Sequence, residues 1–276
     1  MTRLINRQPS RYSRLMLGLL PFIVLFVIYL VTSDARLAEN PSDKLLPSLG
    51  SFADAIVRMG FEPSKRTGEY LLWQDTFTSL QRLGIAVGLS ATIGLVIGVF
   101  NGMIPYVRSP LSPLVTALSL IPPMAILPIL FITFGLGELS KVVLIVIGIT
   151  PVIIRDIQLR TDALPSEQLI KAQTLGGNSW QIILRVVLPQ TMPRLIDAVR
   201  LTLGSAWLFL IAAEAIAATE GLGYRIFLVR RYLAMDVILP YVFWITTLAF
   251  AMDWSLKRIS ILAFPWYHSA QGARND

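Results

Sequence analysis

The sequence predicts an all-α polytopic membrane protein of about six transmembrane helices, with a cytosolic helix-turn-helix between the fourth and the fifth. Hydrophobic residue types make up 54% of the 276 residues and charged types only 15%, whereas a soluble protein carries about 25% charged residues. Charge-free apolar runs recur along the chain, and most approach the roughly 20 residues that cross a bilayer as a helix. The charges of the intervening segments mostly follow the positive-inside rule.

The same composition excludes other classes of protein. It does not fit a disordered chain, a coiled coil or a collagen-like repeat. The chain has no Cys and a single His, His268 near the C-terminus, so its body offers no thiolate metal site, no Cys nucleophile and no Ser-His-Asp triad. We therefore predict no catalytic residue and no metal site. Cytoplasmic loops explain the net charge of +7, and we expect no nucleic-acid partner.

The first predicted span, 15–33, follows a basic N-terminus, 1–14. Four arginines lie there without an acidic residue among them: Arg3, Arg7, Arg11 and Arg14. This pattern places the N-terminus in the cytoplasm. A cleaved signal peptide is the alternative, but the run is long for one and no clear A-x-A site follows. The next segment, 34–75, is slightly acidic and is assigned outside, where residues 49–59 have the apolar spacing of a short interfacial helix.

Five further spans are predicted within a transmembrane core of 76–259. They follow the apolar runs 83–107, 109–137, 142–154, 201–218 and 237–252. Lys257 and Arg258 then close the last span on the inside. The tail, 260–276, is therefore expected in the cytoplasm, on the same side as the N-terminus.

Small residues and prolines mark two of these spans. Glycines four residues apart let another helix approach closely, and the pairs here are Gly84/Gly88, Gly94/Gly98 and Gly98/Gly102. Packing within one subunit is favoured, and a subunit interface is the alternative. In the third span, prolines remove backbone donors and break the helix. Such breaks often line transport pathways, and a static kink fits equally well. The candidate pathway or gate residues there are Pro122, Pro123, Met124 and Pro128.

Two carboxylates lie in or near predicted spans. Glu214 interrupts the fifth span, and an intramembrane carboxylate marks either a pathway or a buried pair. Both explanations remain open, and Glu214 joins the candidate pathway residues. Asp253 is expected at the inner interface, near Lys257.

The inside segment, 155–200, has the pattern of a helix-turn-helix. A first helix starts at Ser166 with a carboxylate, Glu167, in its first turn, where the helix dipole favours it. A Gly-Gly-Asn break at 176–178 precedes a second helix that begins with a capping box. The apolar stripe of this second helix is expected to comprise Trp180, Ile183, Leu184, Val187 and Leu188. Pro189 is expected to end it. Such a projection suits docking into a partner groove, and an inert amphipathic loop is the alternative.

The spacing in this segment resembles a known motif. Gly176, nine residues, Val186, one residue and Leu188-Pro189 is similar to the tail of the Glu-Ala-Ala motif of permease subunits of bacterial ABC importers. Further stretches resemble the branch of that family that takes up nitrate, taurine, alkanesulfonates and bicarbonate. They are residues 122–128, 134–141 and 214–224. The resemblance covers the chain from about residue 73 to residue 253.

The Glu-Ala-Ala positions of the motif read Ile170, Lys171 and Ala172 in this chain. A salt bridge from the motif's Glu therefore has no carboxylate at that position, and Glu167, one turn earlier, is the nearby candidate. The resemblance implies that this segment couples the chain to an ATPase. The residues it assigns to this coupling are Glu167, Ala172, Gly176, Gly177, Trp180, Val186, Leu188 and Pro189.

The resemblance also implies the partners of an ATP-driven importer in the bacterial inner membrane. Two permease copies, expected as a homodimer in the lipid bilayer, would form the pathway. Cytosolic ATPase subunits would bind ATP and Mg²⁺, and an external solute-binding protein would deliver a nitrate, sulfonate, bicarbonate or small nitrogen compound. The chain itself has no G-x-x-x-x-G-K-[ST] phosphate loop, so we expect it to hold no cofactor and to be the non-catalytic part.

The outer segment before the last span departs from the positive-inside rule. Arg225, Arg230 and Arg231 outweigh Glu220 and Asp236 there. A tolerated deviation is favoured. The alternative is an external contact with an acidic partner, such as the binding protein, or with an anion.

A stand-alone secondary transporter is the rival function. It would need coupling-ion groups at mid-membrane, and Glu214 is the only good candidate. No internal inverted repeat is evident, and the inside helix-turn-helix would have no role. An intramembrane enzyme is not favoured, because the chain lacks Cys and a close carboxylate pair within the spans.

Overall fold

The computed structural model describes residues 10–40, 43–64 and 68–272, and within these ranges the chain is nearly all helical, with no β-strand. Arg3 and Arg7 of the predicted basic N-terminus lie outside the described residues. A π-helical turn spans Ile183–Val187. The helices are α1 (Arg11–Glu39), α2 (Leu49–Gly60), α3 (Leu71–Met103), α4 (Pro105–Leu120), α5 (Pro123–Phe134), α6 (Glu138–Asp162), α7 (Ser166–Thr174), α8 (Ser179–Ile182), α9 (Leu188–Ala217), α10 (Leu222–Arg230), α11 (Met235–Ala263) and α12 (Pro265–Gly272).

The predicted polytopic membrane fold is confirmed. Five helical stretches of the described chain are long and apolar enough to cross a membrane, namely α1, α3, α6, α11 and the continuous stretch Ser179–Ala217. Helices α4 and α5 meet the same criterion as a pair with a bend of 95° between them. Counted as one broken span, this pair brings the number of spans among the described residues to six.

The second span begins before its charge-free run, 83–107. Its helix, α3, starts at Leu71. Asp75 and Arg82 lie in this first part of the helix, and both are buried. Each is ion-paired, Asp75 with Arg225 and Arg82 with Glu214. Pairing offsets much of the cost of burying a charge, so the charged residues do not delay the start of the helix.

The predicted amphipathic helix of the 34–75 segment is α2. Ser48 caps it by accepting a hydrogen bond from a backbone N–H of the first turn at 3.2 Å, which satisfies one of the free donors there. The chain before α2 is held against α1. Tyr29 Oη donates to the Pro47 carbonyl at 2.6 Å, and Ser33 Oγ donates to the Leu46 carbonyl at 2.9 Å.

Glycines of α3 let α6 approach closely. A Cβ at Gly94 would lie 2.4 Å from Ile153 Cγ2, and one at Gly98 would lie 2.7 Å from Ile157 Cβ. Gly102 repeats the pattern one turn further. At these three positions the four-residue spacing of the glycines therefore serves packing between helices of one chain, the explanation favoured from the sequence.

The proline-rich third span is broken, as predicted. Helix α4 ends at Leu120 and α5 begins at Pro123, with extended backbone at Ile121 and Pro122 between them. Neither proline has a backbone N–H, so the helical hydrogen-bond ladder cannot pass through them. We call the resulting 95° bend the elbow. A role for the elbow in a pathway stays a prediction.

The predicted helix-turn-helix consists of α7 and α8. Its capping box is present, because Gln181 N donates to Asn178 Oδ1 at 2.8 Å and Asn178 N donates to Gln181 Oε1 at 3.1 Å. Gly176 makes the turn with φ +84°, in the left-handed region that favours glycine. The position of this turn relative to a membrane stays a prediction.

Two details of the second helix differ from their prediction. Pro189 does not end it, and the helical stretch runs from Ser179 through Ala217. The π turn just before Pro189 widens the backbone where the proline ring would otherwise clash. This wider turn also changes the angular spacing of side chains, so Leu184 is exposed, as is Trp180 on the turn before it. The residues buried here are Ile182, Ile183 and Val187.

We expect Gly98→Val to destabilise the fold by about 1–3 kcal/mol, because a larger side chain would overpack the α3–α6 contact. Thermal unfolding in detergent measures this. Gly84→Val is the matched control, since no atom lies within 4 Å of a Cβ at that position and both changes alter helix propensity alike. Equal losses of stability in the two variants would contradict the packing role of Gly98.

Candidate functional site

Three carboxylates and three cationic side chains meet at one end of the helix bundle. They come from the first turns of α3 and α6, the end of α9 and the short helix α10. Charged groups in apolar surroundings persist only when they are paired and hydrogen-bonded. We call this set the charge cluster, and its members are Asp75, Arg82, Glu138, Lys141, Glu214 and Arg225.

Arg82 lies at the centre of the charge cluster. Its Nη1 donates to Glu214 Oε1 at 2.8 Å and to the Glu220 carbonyl at 2.9 Å. Its Nη2 donates to Glu138 Oε1 at 2.8 Å, and Lys141 Nζ donates to the same oxygen at 2.7 Å. One guanidinium therefore links α3 to α6, to α9 and to the segment that follows α9.

Glu214 is fully buried within the charge cluster. Its carboxylate also accepts hydrogen bonds from Ser79 Oγ and from Gly223 N, both at 2.8 Å. A Cβ at Gly221, which has φ +123°, would lie 2.6 Å from Glu214 Oε1, so only glycine fits beside this carboxylate. In this conformation Glu214 forms a structural ion pair, and a role in a pathway stays a prediction.

Asp75 holds the outer part of the charge cluster together. Its carboxylate is fully buried and accepts hydrogen bonds from Gly221 N at 2.9 Å, Tyr241 Oη at 3.2 Å and Arg225 Nε at 2.7 Å. Burial disfavours the charged guanidinium of Arg225, but the hydrogen bond and the charge of Asp75 outweigh it and raise the pKa of Arg225. Asp75, with its partners Arg225 and Tyr241, therefore joins α3 to α10 and to α11.

The three arginines predicted as external contacts are of two kinds. The side chain of Arg225 is only 13% exposed and is bonded to Asp75, so an ion pair within the chain occupies its guanidinium, and a contact of Arg225 with a binding protein or an anion stays a prediction. Arg230 and Arg231 are exposed, and Arg230 Cζ lies 4.8 Å from the centre of the Phe227 ring. A contact of these two with a binding protein stays a prediction.

Asp253 pairs with Arg200. It accepts hydrogen bonds from Arg200 Nε at 2.8 Å and from Arg200 Nη2 at 3.0 Å. A two-pronged guanidinium–carboxylate pair of this kind is a strong one, and the position of Asp253 at the inner interface stays a prediction. The pair joins α9 to α11.

A cavity of about 330 Å³ lies between the elbow, α6 and α9. Among the predicted pathway residues, Pro123 lines this cavity, whereas Pro122, Met124 and Pro128 lie on the elbow without lining it, and Glu214 lies in the charge cluster. Hydrophobic residues form most of the wall. Its polar lining residues are Ser119, Asp156, Thr202 and Ser205.

Sequence reasoning missed Asp75, Ser79 and Arg82, because it defined spans by the absence of charge. Their spacing of i, i+4 and i+7 places them on one face of a helix, and this was the available signal. Asp156 was missed because it falls in the segment 155–200, which was interpreted as an inside loop.

The predicted coupling residues lie on and around the turn between α7 and α8. Leu175, next to Gly176, is 80% exposed, and Trp180 is 56% exposed. A Cβ at Gly177 would lie 2.8 Å from the Ala172 carbonyl oxygen, so the tight turn requires glycine there. The other predicted coupling residues are exposed or partly buried, and they are Glu167, Val186, Leu188 and Pro189.

Residues 90–260 match the family model described as binding-protein-dependent transport system inner membrane component. The chain belongs to this family. The permease is 33% identical over 200 residues to the taurine transport system permease protein TauC of Escherichia coli, with 72% of this chain and 73% of the relative covered. It is 29% identical over 215 residues to the nitrate import permease protein NrtB of Synechococcus elongatus, with 75% of each chain covered.

The permease also shares its fold with a solved transporter. A chain of the MetNI methionine ABC transporter in an inward-facing conformation superposes with a TM-score of 0.62 at 21% identity, covering 69% of this permease and 95% of that chain. The comparisons support an importer permease over a stand-alone secondary transporter. A permease of this kind is an inner-membrane protein that works with ATPase and binding-protein partners.

We expect Arg82→Met to destabilise the permease by about 3–5 kcal/mol, because it leaves buried Glu214 without its cationic partner. Arg108→Met is the control, since the Arg108–Asp162 pair lies near the surface, with side chains 42% and 34% exposed, and such pairs contribute about 0–1 kcal/mol. Thermal unfolding in detergent compares the two. Similar losses in both would show that burial does not set the strength of the Arg82 pair.

Proposed function

We propose that the permease is the translocating, non-catalytic subunit of an ATP-driven importer, and that the turn between α7 and α8 docks into a cytosolic ATPase. ATP and Mg²⁺ would bind to that partner, since this chain has no phosphate loop of its own. A second copy of the permease completes the pathway across the lipid bilayer. In this arrangement both termini are cytoplasmic.

The exposed turn carries this proposal. Leu175 is 80% exposed, Ile170 is 57% exposed and Trp180 is 56% exposed, so three large apolar side chains project from one short segment. Clusters of this kind are typical of sites that bind another protein. Gly176 and Gly177 fix the turn, and the capping box after them orders the start of α8. The partner therefore meets a preformed surface, which lowers the entropic cost of docking.

The continuous helix behind the turn supports a mechanism of coupling. The stretch Ser179–Ala217 has 39 residues, and a helix rises about 1.5 Å per residue. A displacement of the turn by a closing ATPase would therefore move α9, which lines the cavity beside the elbow. Glu167 is exposed in the first turn of α7 and is the candidate for the carboxylate that position 170 lacks.

Exposed arginines and the names of the relatives indicate the outer partner and the solute. Arg230 and Arg231 are exposed and would meet an acidic surface of a solute-binding protein. The names of the relatives point to a small solute such as a sulfonate or nitrate. Bicarbonate and small nitrogen compounds belong to the same size class.

Leu175→Asp is expected to reduce ATPase capture at least tenfold, because burying one Leu at an interface contributes roughly 1.5–3 kcal/mol. The measurement is a pull-down of the permease in nanodiscs after co-expression with a candidate importer ATPase. Tyr232→Asp is the control, because Tyr232 is 69% exposed but lies in the segment before α11, at the other end of α9. Undiminished capture by Leu175→Asp would remove the docking role of this turn.

A further inference from the structure

The cavity beside the elbow contains one charged group that the fold does not satisfy. Asp156 lines this cavity, and its Oδ2 is buried without a hydrogen-bond partner among the described residues. The other oxygen, Oδ1, accepts only a long hydrogen bond from Arg160 Nε at 3.4 Å. Buried carboxylate oxygens are expected to be hydrogen-bonded, because leaving one unpaired is costly.

The surroundings of Asp156 have the features of a binding site for a small solute. Ser119 and Ser205 add hydroxyl groups to a mostly apolar wall, and a volume of about 330 Å³ lies within the usual size of small-molecule pockets. Arg155 Nη1 donates to Ser119 Oγ at 3.0 Å, and Ser119 Oγ donates to the Thr116 carbonyl at 2.8 Å, so the Ser119 oxygen can accept one further hydrogen bond but has no hydrogen left to donate. Asp156 lies in the last two turns of α6, and an ionisable side chain that faces a cavity near the end of a span is a candidate for contact with a solute.

The cavity is also well placed to respond to transport. Its walls come from the broken span, from α6 and from α9, and α9 is continuous with the turn that we assign to ATPase docking. A carboxylate at this position would bind a cationic donor, and the guanidinium groups of Arg160 and Arg155 lie next to Asp156 and Ser119. Asp156 therefore distinguishes between the solute chemistries of the relatives, because nitrate carries no amine whereas taurine does.

We propose that this cavity is a solute site and that Asp156 binds the protonated amine of a small amine-bearing solute, with the hydroxyl of Ser205 contacting its other polar atoms. The proposal rests on the proposed transport function and names its solute class. No covalent step is involved. Asp156 accepts a charge-assisted hydrogen bond from the ammonium group, and Arg160 remains its partner on the other oxygen.

The test is isothermal titration calorimetry on the full-length permease in nanodiscs, with taurine, ethanesulfonate and sodium nitrate as probes. Ethanesulfonate keeps the sulfonate of taurine and lacks the amine. We expect wild type to bind taurine at least tenfold more tightly than either other probe, and Asp156→Asn to lose roughly tenfold or more of the taurine affinity. Ser205→Ala, which keeps the carboxylate, should weaken taurine binding by a smaller factor.

Asp162→Asn is the matched control, because it removes the same charge from the same helix at a residue that does not line the cavity. Unchanged taurine affinity in Asp156→Asn overturns the proposal. So does equal binding of ethanesulfonate or nitrate, or no binding of taurine by wild type. ATPase capture separates the two proposals, since the titration needs no ATPase. If wild type captures the ATPase normally but shows no preference for taurine, the amine site alone is overturned. The Leu175→Asp variant is expected to keep the taurine preference of wild type.

Discussion

Neutralising buried charge is the constraint on which the architecture of this permease depends. Asp75 and Glu214 are fully buried and cannot lie within a helix bundle unless cations reach them; Arg82 pairs with Glu214 and also with Glu138, whose side chain is 62% exposed. Because one guanidinium must contact carboxylates from α6 and α9 at once, the relative positions of α3, α6 and α9 are fixed at that end. The glycine contacts between α3 and α6 then set the same spacing further along the helices.

The opposite ends of α9 consequently differ in freedom. Near Ala217 the helix is held by the buried Glu214, which has hydrogen bonds to two residues of α3 and to the backbone of α10. At its other end α9 continues through the π turn and α8 into an exposed turn, where Leu175 is 80% exposed. A helix that is fixed at one end and accessible at the other is suited to rigid-body pivoting, so force applied at the turn would displace the middle of α9 more than its far end.

The sequence allowed much of this fold to be predicted, and the failures have one physical origin. Apolar runs located the spans, prolines located the elbow, and the capping residues located the start of α8, because each of these signals acts over a few residues. The early start of α3 and the pairing of Arg225 with Asp75 were not predictable in this way. They depend on partners that are about 150 positions away in the chain, and a charge that looks unfavourable alone becomes acceptable once its partner is present. The π turn was not predicted for a related reason. It accommodates Pro189 within a continuous helix, whereas local sequence rules place the end of the helix at that proline.

The elbow and the charge cluster differ in how easily they can change shape. The broken span has lost its hydrogen-bond ladder between Leu120 and Pro123, so bending there breaks no further backbone hydrogen bond, whereas moving the charge cluster would separate buried ions. When a structure contains two elements that could move, a conformational change uses the one that costs less free energy to deform. The cavity lies between that softer element and α9. Its shape, rather than the geometry around Arg82, is therefore expected to differ between the inward-open and outward-open states.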